Sequence, residues 1–547
     1  MNIYFVGMII VMAAFLVISY FVSRKVRNAE DFYVAGRNAP VLLIAGSLLA
    51  SYMGTGLFMG DAATSYKGAL GPMTIIASML GAGSIFGAVF FGRQLRRSNT
   101  ITIPEYFGMR FHSDSMRMLS AVVSVVTMAV YLISVVQGLG TLMSTVTGVH
   151  YHICLIACAA VFTFISVTAG SKGVLITDTL MAALFTLSLL IGIGFIAKET
   201  GGYFDTIRSL ASDPDTSAIL SWTGKPGVLG FNVNSTFDVI LWGGVYGIVW
   251  GAVGMISPWQ ASRYQMAKSE HVILKSSLIA AFGLFALDFF AMMAALLVNR
   301  VYPDMPDPSR VMIWASMNLM PKIIGVILLT GILSAGISSA TTFQSLIGAS
   351  VSNDIMKLIR IRMHPEKSAE QNTDRRDIRI GRIAMIAAAV IAVAISVTNP
   401  QALFIIMFLG SSMIASTWMP VAIASVFSKR VTKTGAFCGM LAGFAGAFIY
   451  KIATYFAGWE PPVYLDSALV GMVLNVIAMT IGSAFTQVTD QEKAARKKIL
   501  TMPESEKEPG DVKRTLRVMR IGCFVGVGIF AVLLIFWLIP YMNAVGK

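Results

Sequence analysis

The sequence predicts an all-α polytopic membrane protein of about fourteen transmembrane helices. Three observations carry that expectation. The chain of 547 residues is 56% hydrophobic and only 13% charged, where soluble domains carry about 25% charged residues. Its mean hydropathy is +0.73. Apolar stretches of about 20 residues, the length that crosses a bilayer, recur along the whole chain. No stretch reads as a separate soluble domain.

The spans are expected at roughly 3–23, 40–66, 70–92, 118–147, 152–169, 173–197, 236–259, 271–298, 321–351, 381–398, 401–427, 434–456, 463–485 and 519–542. The first run, Ile3 to Ser23, is too long for a signal-peptide core and has no cleavage-like end, so it reads as a retained helix. Lys and Arg then fix the orientation. Arg24, Lys25, Arg27 and Arg37 follow the first span, and Arg93, Arg96, Arg97 and Arg110 follow the third. Lys357 to Arg382 follows the ninth, and Lys493 to Arg520 precedes the last. With fourteen spans these connections share one side, which the positive-inside rule makes cytoplasmic. Both termini are then extracytoplasmic, in the cell (inner) membrane. The net charge of +14 is thereby explained by topology, without nucleic acid. Cys154, Cys158, Cys438 and Cys523 all sit in apolar runs and read as small packing residues. The stretch Pro503–Asp511 reads as a charged linker before the last span.

The ninth span carries a row of hydroxyls, LSAGISSATT, at residues 333–342. Ala335, Ser338, Ser339 and Thr342 are spaced i, i+3, i+4 and i+7 and share one stripe, which Thr341 and Ser345 widen. Small residues and hydroxyls can simply let helices pack closely. Several oxygens clustered at mid-membrane depth, without thiol or imidazole, also suit a hard cation. A partner is available in the second span, where Gly54, Gly56 and Gly60 interrupt LASYMGTGLFMGD and favour an unwound turn near Thr55. Discontinuous helices expose backbone carbonyls to sodium and half-helix N-termini to anionic groups. Asp178 lies several residues inside an apolar helix; it is either functional or an interfacial helix-start residue after Lys172.

Motifs spread along the chain carry a resemblance. They are DFYVAGRN (31–38), LASYMGTG (49–56), TIPEYFGMRF (102–111), GSKGVLITDTL (170–180), SPWQASRYQMAKS (257–269) and LSAGISSATT. In this order and spacing, over residues 1 to about 430, they resemble the sodium/solute symporter family, which includes bacterial proline, sialic acid and galactose symporters. The resemblance implies a leucine-transporter-like core of two inverted five-helix repeats with broken helices. The repeats would occupy roughly 40–197 and 236–427, joined by an extracellular loop at 198–235. A peripheral first helix and cytoplasmic loop (1–39) and peripheral C-terminal helices (428–547), with a charged cytoplasmic linker at about 486–518, would complete the chain. It also implies a main sodium site from the carbonyls of Ala50, Met53 and Ala335 and the hydroxyls of Ser338 and Ser339. A second sodium, as some members hold, would fall at Asp178, Ser338, Thr341 and Thr342. Proline symporters have an aspartate where this chain has Tyr52.

The resemblance therefore implies a sodium-coupled secondary active symporter with no cofactor and no enzymatic role. Its partners would be sodium ions, a small organic solute and the lipid bilayer. Substrate-contact candidates are Tyr52, Thr55, Tyr131, Gln137, Trp250 and Trp418. No Arg or Lys is expected deep in a core span, which disfavours an anionic solute. Two further acids do lie in apolar spans: Asp61, and Asp288 within LFALDFFAMM. Aromatics with carboxylates suit an ammonium group, so an amino acid, betaine or other amine is the expected solute. Asp288, deeper in its helix, is the expected partner of that group, unless it bonds a neighbouring helix. A sugar or carboxylate solute, proton coupling, or a channel-like or sensor relative are the alternatives. His112, His150, His152, His271 and His364 fall near span ends or in loops, where no catalytic set is formed.

Overall fold

A computed structural model describes residues 2–24, 29–229, 233, 235–363, 373–398, 403–506 and 509–546. His364 and the basic residues Lys25 and Arg27 fall outside these, as do Lys507 and Glu508 of the charged linker. Among the described residues the chain is helical, and strand pairing is confined to one isolated bridge between Ala39 and Ala267. In a bilayer this follows from backbone chemistry, because a helix satisfies its own N–H and C=O groups where no water can.

The helices used below are α1 (Ile3–Ser23), α2 (Val41–Tyr52), α3 (Gly56–Ser98), α4 (Asp114–Thr147), α5 (Tyr151–Glu199), α6 (Thr236–Ile256), α7 (Pro258–Met266) and α8 (Glu270–Leu297). They continue with α9 (Lys322–Ala349), α10 (Thr373–Thr398), α11 (Leu403–Thr417), α12 (Met419–Phe427), α13 (Lys433–Phe456), α14 (Ser467–Ala484), α15 (Asp490–Leu500) and α16 (Pro509–Leu533). Thirteen described helices are long and apolar enough to cross a membrane. One of them, α3, turns at Gly68 (φ 109°) and makes two crossings, the first completed by α2. That gives the fourteen expected from the sequence.

Burial sorts the helices into core and periphery. In the most apolar stretch of α9, 78% of residues are buried inside the protein, against 6% at the C-terminal helix. A helix that is buried all round must satisfy its polar groups internally, whereas one facing lipid need only be apolar. α9 packs on α5 and α4, α6 on α3, and α2 on α5 and α8. Two sharp bends position the site. Gly170 sits at φ 57°, ψ −165° inside α5, a region of backbone space open essentially only to glycine. Ser257, extended at φ −55°, ψ 144°, separates α6 from α7, and Pro258 opens the second helix. The Ala39 N–H donates to the Met266 carbonyl (3.1 Å) and the Lys268 N–H to the Ala39 carbonyl (3.0 Å). This bridge ties the start of α2 to the end of α7.

Candidate functional site: a broken helix, a hydroxyl stripe and a buried ion pair

α2 stops where the glycines predict. Its last residue is Tyr52, and helix resumes at Gly56. At the break the Gly54 N–H donates to the Tyr52 carbonyl (2.8 Å) and so leaves the Ala50 carbonyl, its partner in a continuous helix, free to accept elsewhere. Met53, at φ −73°, ψ 67°, lies in the break itself. α9 faces it. A Cβ built on Gly54 would lie 2.7 Å from Ser339 Oγ, so the unwound backbone and the hydroxyl stripe are in direct contact. Ala50, Met53, Ala335, Ser338 and Ser339 are all buried. Carbonyls and hydroxyls on opposite sides of a dry gap are the donor set that a hard monovalent cation takes.

One turn along α9 the chemistry changes. Asp178 of α5 is fully buried and accepts hydrogen bonds from Ser338 Oγ (2.7 Å) and Ser47 Oγ (2.6 Å). It also pairs with Arg263 of α7, whose Nη2 lies 2.8 Å from its Oδ2. The same Nη2 donates to Thr342 Oγ1 (2.8 Å), and Nε donates to Ser47 Oγ (2.8 Å). Thr341 turns back to donate to the Ser338 carbonyl of its own helix (2.8 Å). Asp178, Ser338 and Thr342 thus do meet, around a guanidinium that neutralises the carboxylate.

Arg263 corrects the expectation that no cation lies deep in the core. It belongs to SPWQASRYQMAKS, most of which falls between the seventh and eighth expected spans. In the structure every residue of α7 is buried, and several of its polar side chains donate to backbone carbonyls. Gln260 Nε2 donates to the Leu48 carbonyl (3.3 Å), Gln265 Nε2 to the Thr100 carbonyl (3.0 Å) and the Tyr264 hydroxyl to the Ser84 carbonyl (3.3 Å).

Beside the break is a small cavity of about 30 Å³, space for water but not for an organic solute. Its walls include Tyr52, Tyr131, Trp250, Trp259 and Phe343, together with Asp61 and Ser339. The rings interlock edge to face: Tyr52 with Trp250 (5.6 Å between centroids), Tyr131 with Trp259 (4.7 Å) and Trp259 with Phe343 (5.3 Å). Of the expected contacts, then, Tyr52, Tyr131, Trp250 and Asp61 are brought together. Thr55 and Gln137 are buried but do not line the cavity, and Trp418 packs against Phe107 instead. Asp288 is also absent from the lining, although it lies within electrostatic reach of Asp61 and Tyr52. Of the two acids, Asp61 alone lines this cavity among the described residues. Trp259 and Phe343 were not among the expected contacts, the first at the end of the seventh expected span, the second one residue past the stripe. A separate cavity of about 30 Å³ on the other side of the ion pair is lined by Arg263, Ser47, Thr102 and Thr342.

A membrane-length helix broken against an oxygen-bearing helix, in an all-α bundle of this size, is the architecture of secondary transporters of the inverted-repeat class. The chain belongs to the sodium:solute symporter family, whose profile matches residues 32–443. A high-affinity proline transporter of Bacillus subtilis is 24% identical over 489 residues, covering 87% of this chain and 97% of the relative. The sodium/proline symporter of Haemophilus influenzae is 27% identical over 476 residues, covering 82% of this chain and 87% of the relative. Among solved structures, a substrate-bound, outward-open Na⁺-coupled sialic acid symporter superposes with a TM-score of 0.72 at 17% identity, covering 89% of this chain and 99% of that one. A nucleobase-cation symporter in a closed conformation gives 0.54 at 10% identity, covering 85% and 98%. The fold is the leucine-transporter-like five-plus-five arrangement expected from the sequence.

Proposed function

We propose that this protein imports a small ammonium-bearing solute, an amino acid or betaine, coupled to sodium by alternating access. The observation that carries the solute class is Asp61, a carboxylate without a counter-cation among the described residues, in an aromatic-walled cavity beside the broken helix. Aromatic faces and a carboxylate together attract an ammonium group. The positive end of α3 at the break would receive the solute's carboxylate. An anionic sugar acid finds no such match, because the buried Arg263 guanidinium is already engaged by Asp178 and does not line this cavity.

In this reading one sodium binds between the Ala50 and Met53 carbonyls and Ala335, Ser338 and Ser339. Ser339 touches both the break and the cavity, so ion and solute each order the same backbone. Asp178 and Arg263 hold α5, α7, α2 and α9 together just beyond the ion. A second sodium at Asp178, Ser338, Thr341 and Thr342 would have to displace the guanidinium from its carboxylate. The basic connections face the cytoplasm and both termini the outside.

Uptake into proteoliposomes tests the reading. Radiolabelled proline, glycine betaine, putrescine, galactose and sialic acid are offered with and without an inward sodium gradient. Sodium-driven accumulation of an amine among them is expected, abolished or strongly reduced by Asp61→Asn. Accumulation of galactose or sialic acid alone overturns the solute class, and equal accumulation without sodium overturns the coupling.

A further inference from the structure

We propose that Asp61 and Asp288 form a proton-binding pair at the transport cavity, separate from the sodium site. The two acids stand on neighbouring helices in register. Ser65 Oγ donates to the Met292 carbonyl (3.1 Å), and each of these residues lies one helical turn beyond one of the acids. Asp61 and Asp288 therefore lie on adjoining turns of the α3–α8 contact, within electrostatic reach of each other. Both are buried, at 4% and 1% exposure. Asp288 Oδ1 has no hydrogen-bond partner among the described residues.

What else faces the pair decides its charge. From α2 comes the Tyr52 phenol, within reach of both acids, and from α4 the Tyr131 phenol, within reach of Asp61. Neighbouring basic groups are occupied or distant. Arg263 is held by Asp178 and Arg310 by Asp307 (2.8 Å), while Lys67 is exposed. The Tyr66 hydroxyl donates to the Tyr302 carbonyl. Among the described residues no Lys, Arg or His contacts either acid. Two carboxylates within electrostatic reach of each other in a dry interior oppose each other's ionisation, and one proton held by the pair would remove half the charge.

The placement also gives the proton a route. Asp61 touches the cavity and Asp288 does not. A proton held between them leaves through the Asp61 carboxyl to cavity water, by breaking that O–H bond and leaving the pair with one more negative charge. That state is the one an entering cation stabilises, so filling and emptying the cavity is linked to proton release and uptake. The proton site itself does not depend on which solute is carried.

Infrared spectroscopy of the full-length protein in liposomes, with no solute present, tests it. Wild type should show the C=O band of a protonated carboxylic acid at neutral pH, exchanging with deuterium. Asp288→Asn should shift that band in frequency, because Asp61, still buried, loses its carboxyl partner. Asp61→Asn should keep it but exchange more slowly, because Asp288 is cut off from the cavity. A wild type without the band, or a band unaltered by both substitutions, overturns the proposal. The failure of the solute reading alone leaves the spectra unchanged, so the two are separable.

Discussion

At the scale of single residues, the stripe of α9 divides its labour by height. Ser339 faces the break and the cavity, while Ser338, on the adjoining turn surface, is already bonded to Asp178. Removing either hydroxyl takes an oxygen from a site where water cannot readily substitute, at a cost of about 1–3 kcal/mol. Ser338→Ala and Ser339→Ala should each raise the sodium concentration needed for half-maximal thermal stabilisation, relative to potassium, by about tenfold or more. Unchanged sodium dependence in both would remove the site. Arg263 is a sharper case. Arg263→Ala strands a buried carboxylate, and breaking such a pair costs about 3–5 kcal/mol. A clear drop in the thermal unfolding temperature is expected, partly recovered in the double variant Arg263→Ala/Asp178→Ala. Arg263→Lys should also destabilise, since one ammonium cannot span Ser47, Asp178 and Thr342 as the planar fork does. Sequence made Asp178 legible as an acid in an apolar helix but not its partner. The reason is physical: Arg263 lies in a polar helix folded into the interior, and hydropathy cannot distinguish a polar segment that is buried from one that is solvated.

At the scale of elements, the breaks were more legible than the contacts they create. Gly54-Thr55-Gly56 announces an interruption because glycine weakens helix and permits close approach, and α2 ends two residues before Gly54. That this turn meets Ser339 could only be seen in three dimensions. Gly54→Ala places a methyl 2.7 Å from Ser339 Oγ, so the hydroxyl must move away from the gap. The folded protein should survive, with sodium stabilisation weakened at least as much as in Ser339→Ala; wild-type sodium response would show that the gap is not the ion site. Gly170→Ala should behave differently. Its backbone conformation is strained for any other residue, by about 1–3 kcal/mol, and the new Cβ would lie 2.7 Å from the Phe32 carbonyl oxygen. Loss of folded protein during purification is expected, irrespective of sodium. The Gly170 bend was read only as a gap between two spans, because periodicity locates apolar faces and says little about how sharply a chain turns between them.

At the scale of the whole molecule, the basic connections form one face. Arg37 Nη2 donates to the Asn99 and Thr100 carbonyls (3.1 and 3.0 Å), and Arg97 Nη1 donates to the Leu500 carbonyl (2.9 Å). Arg93 pairs with Glu270 (2.6 Å), Arg96 with Glu506 (3.1 Å) and Arg117 with Asp354 (2.8 Å). Segments following the first, third, seventh and ninth crossings, and the one preceding the last, are thus stitched together, as an even spacing of basic loops along the sequence requires. α15 lies on this face and the end of the C-terminal helix, near Asn543, on the other, since one membrane crossing separates them. On the proposed orientation, retention of Lys and Arg in the cytoplasm would place the stitched face inside. Single cysteines at the exposed positions Lys497 and Asn543, in a background with the four native cysteines replaced, should then report opposite sides. A membrane-impermeant maleimide should label Asn543→Cys in intact cells and Lys497→Cys only after permeabilisation. The reverse pattern would turn the molecule over and make the cavity beside Arg263 the outer one, so that the sodium gradient would meet Asp178 and Arg263 before it met the break at Gly54.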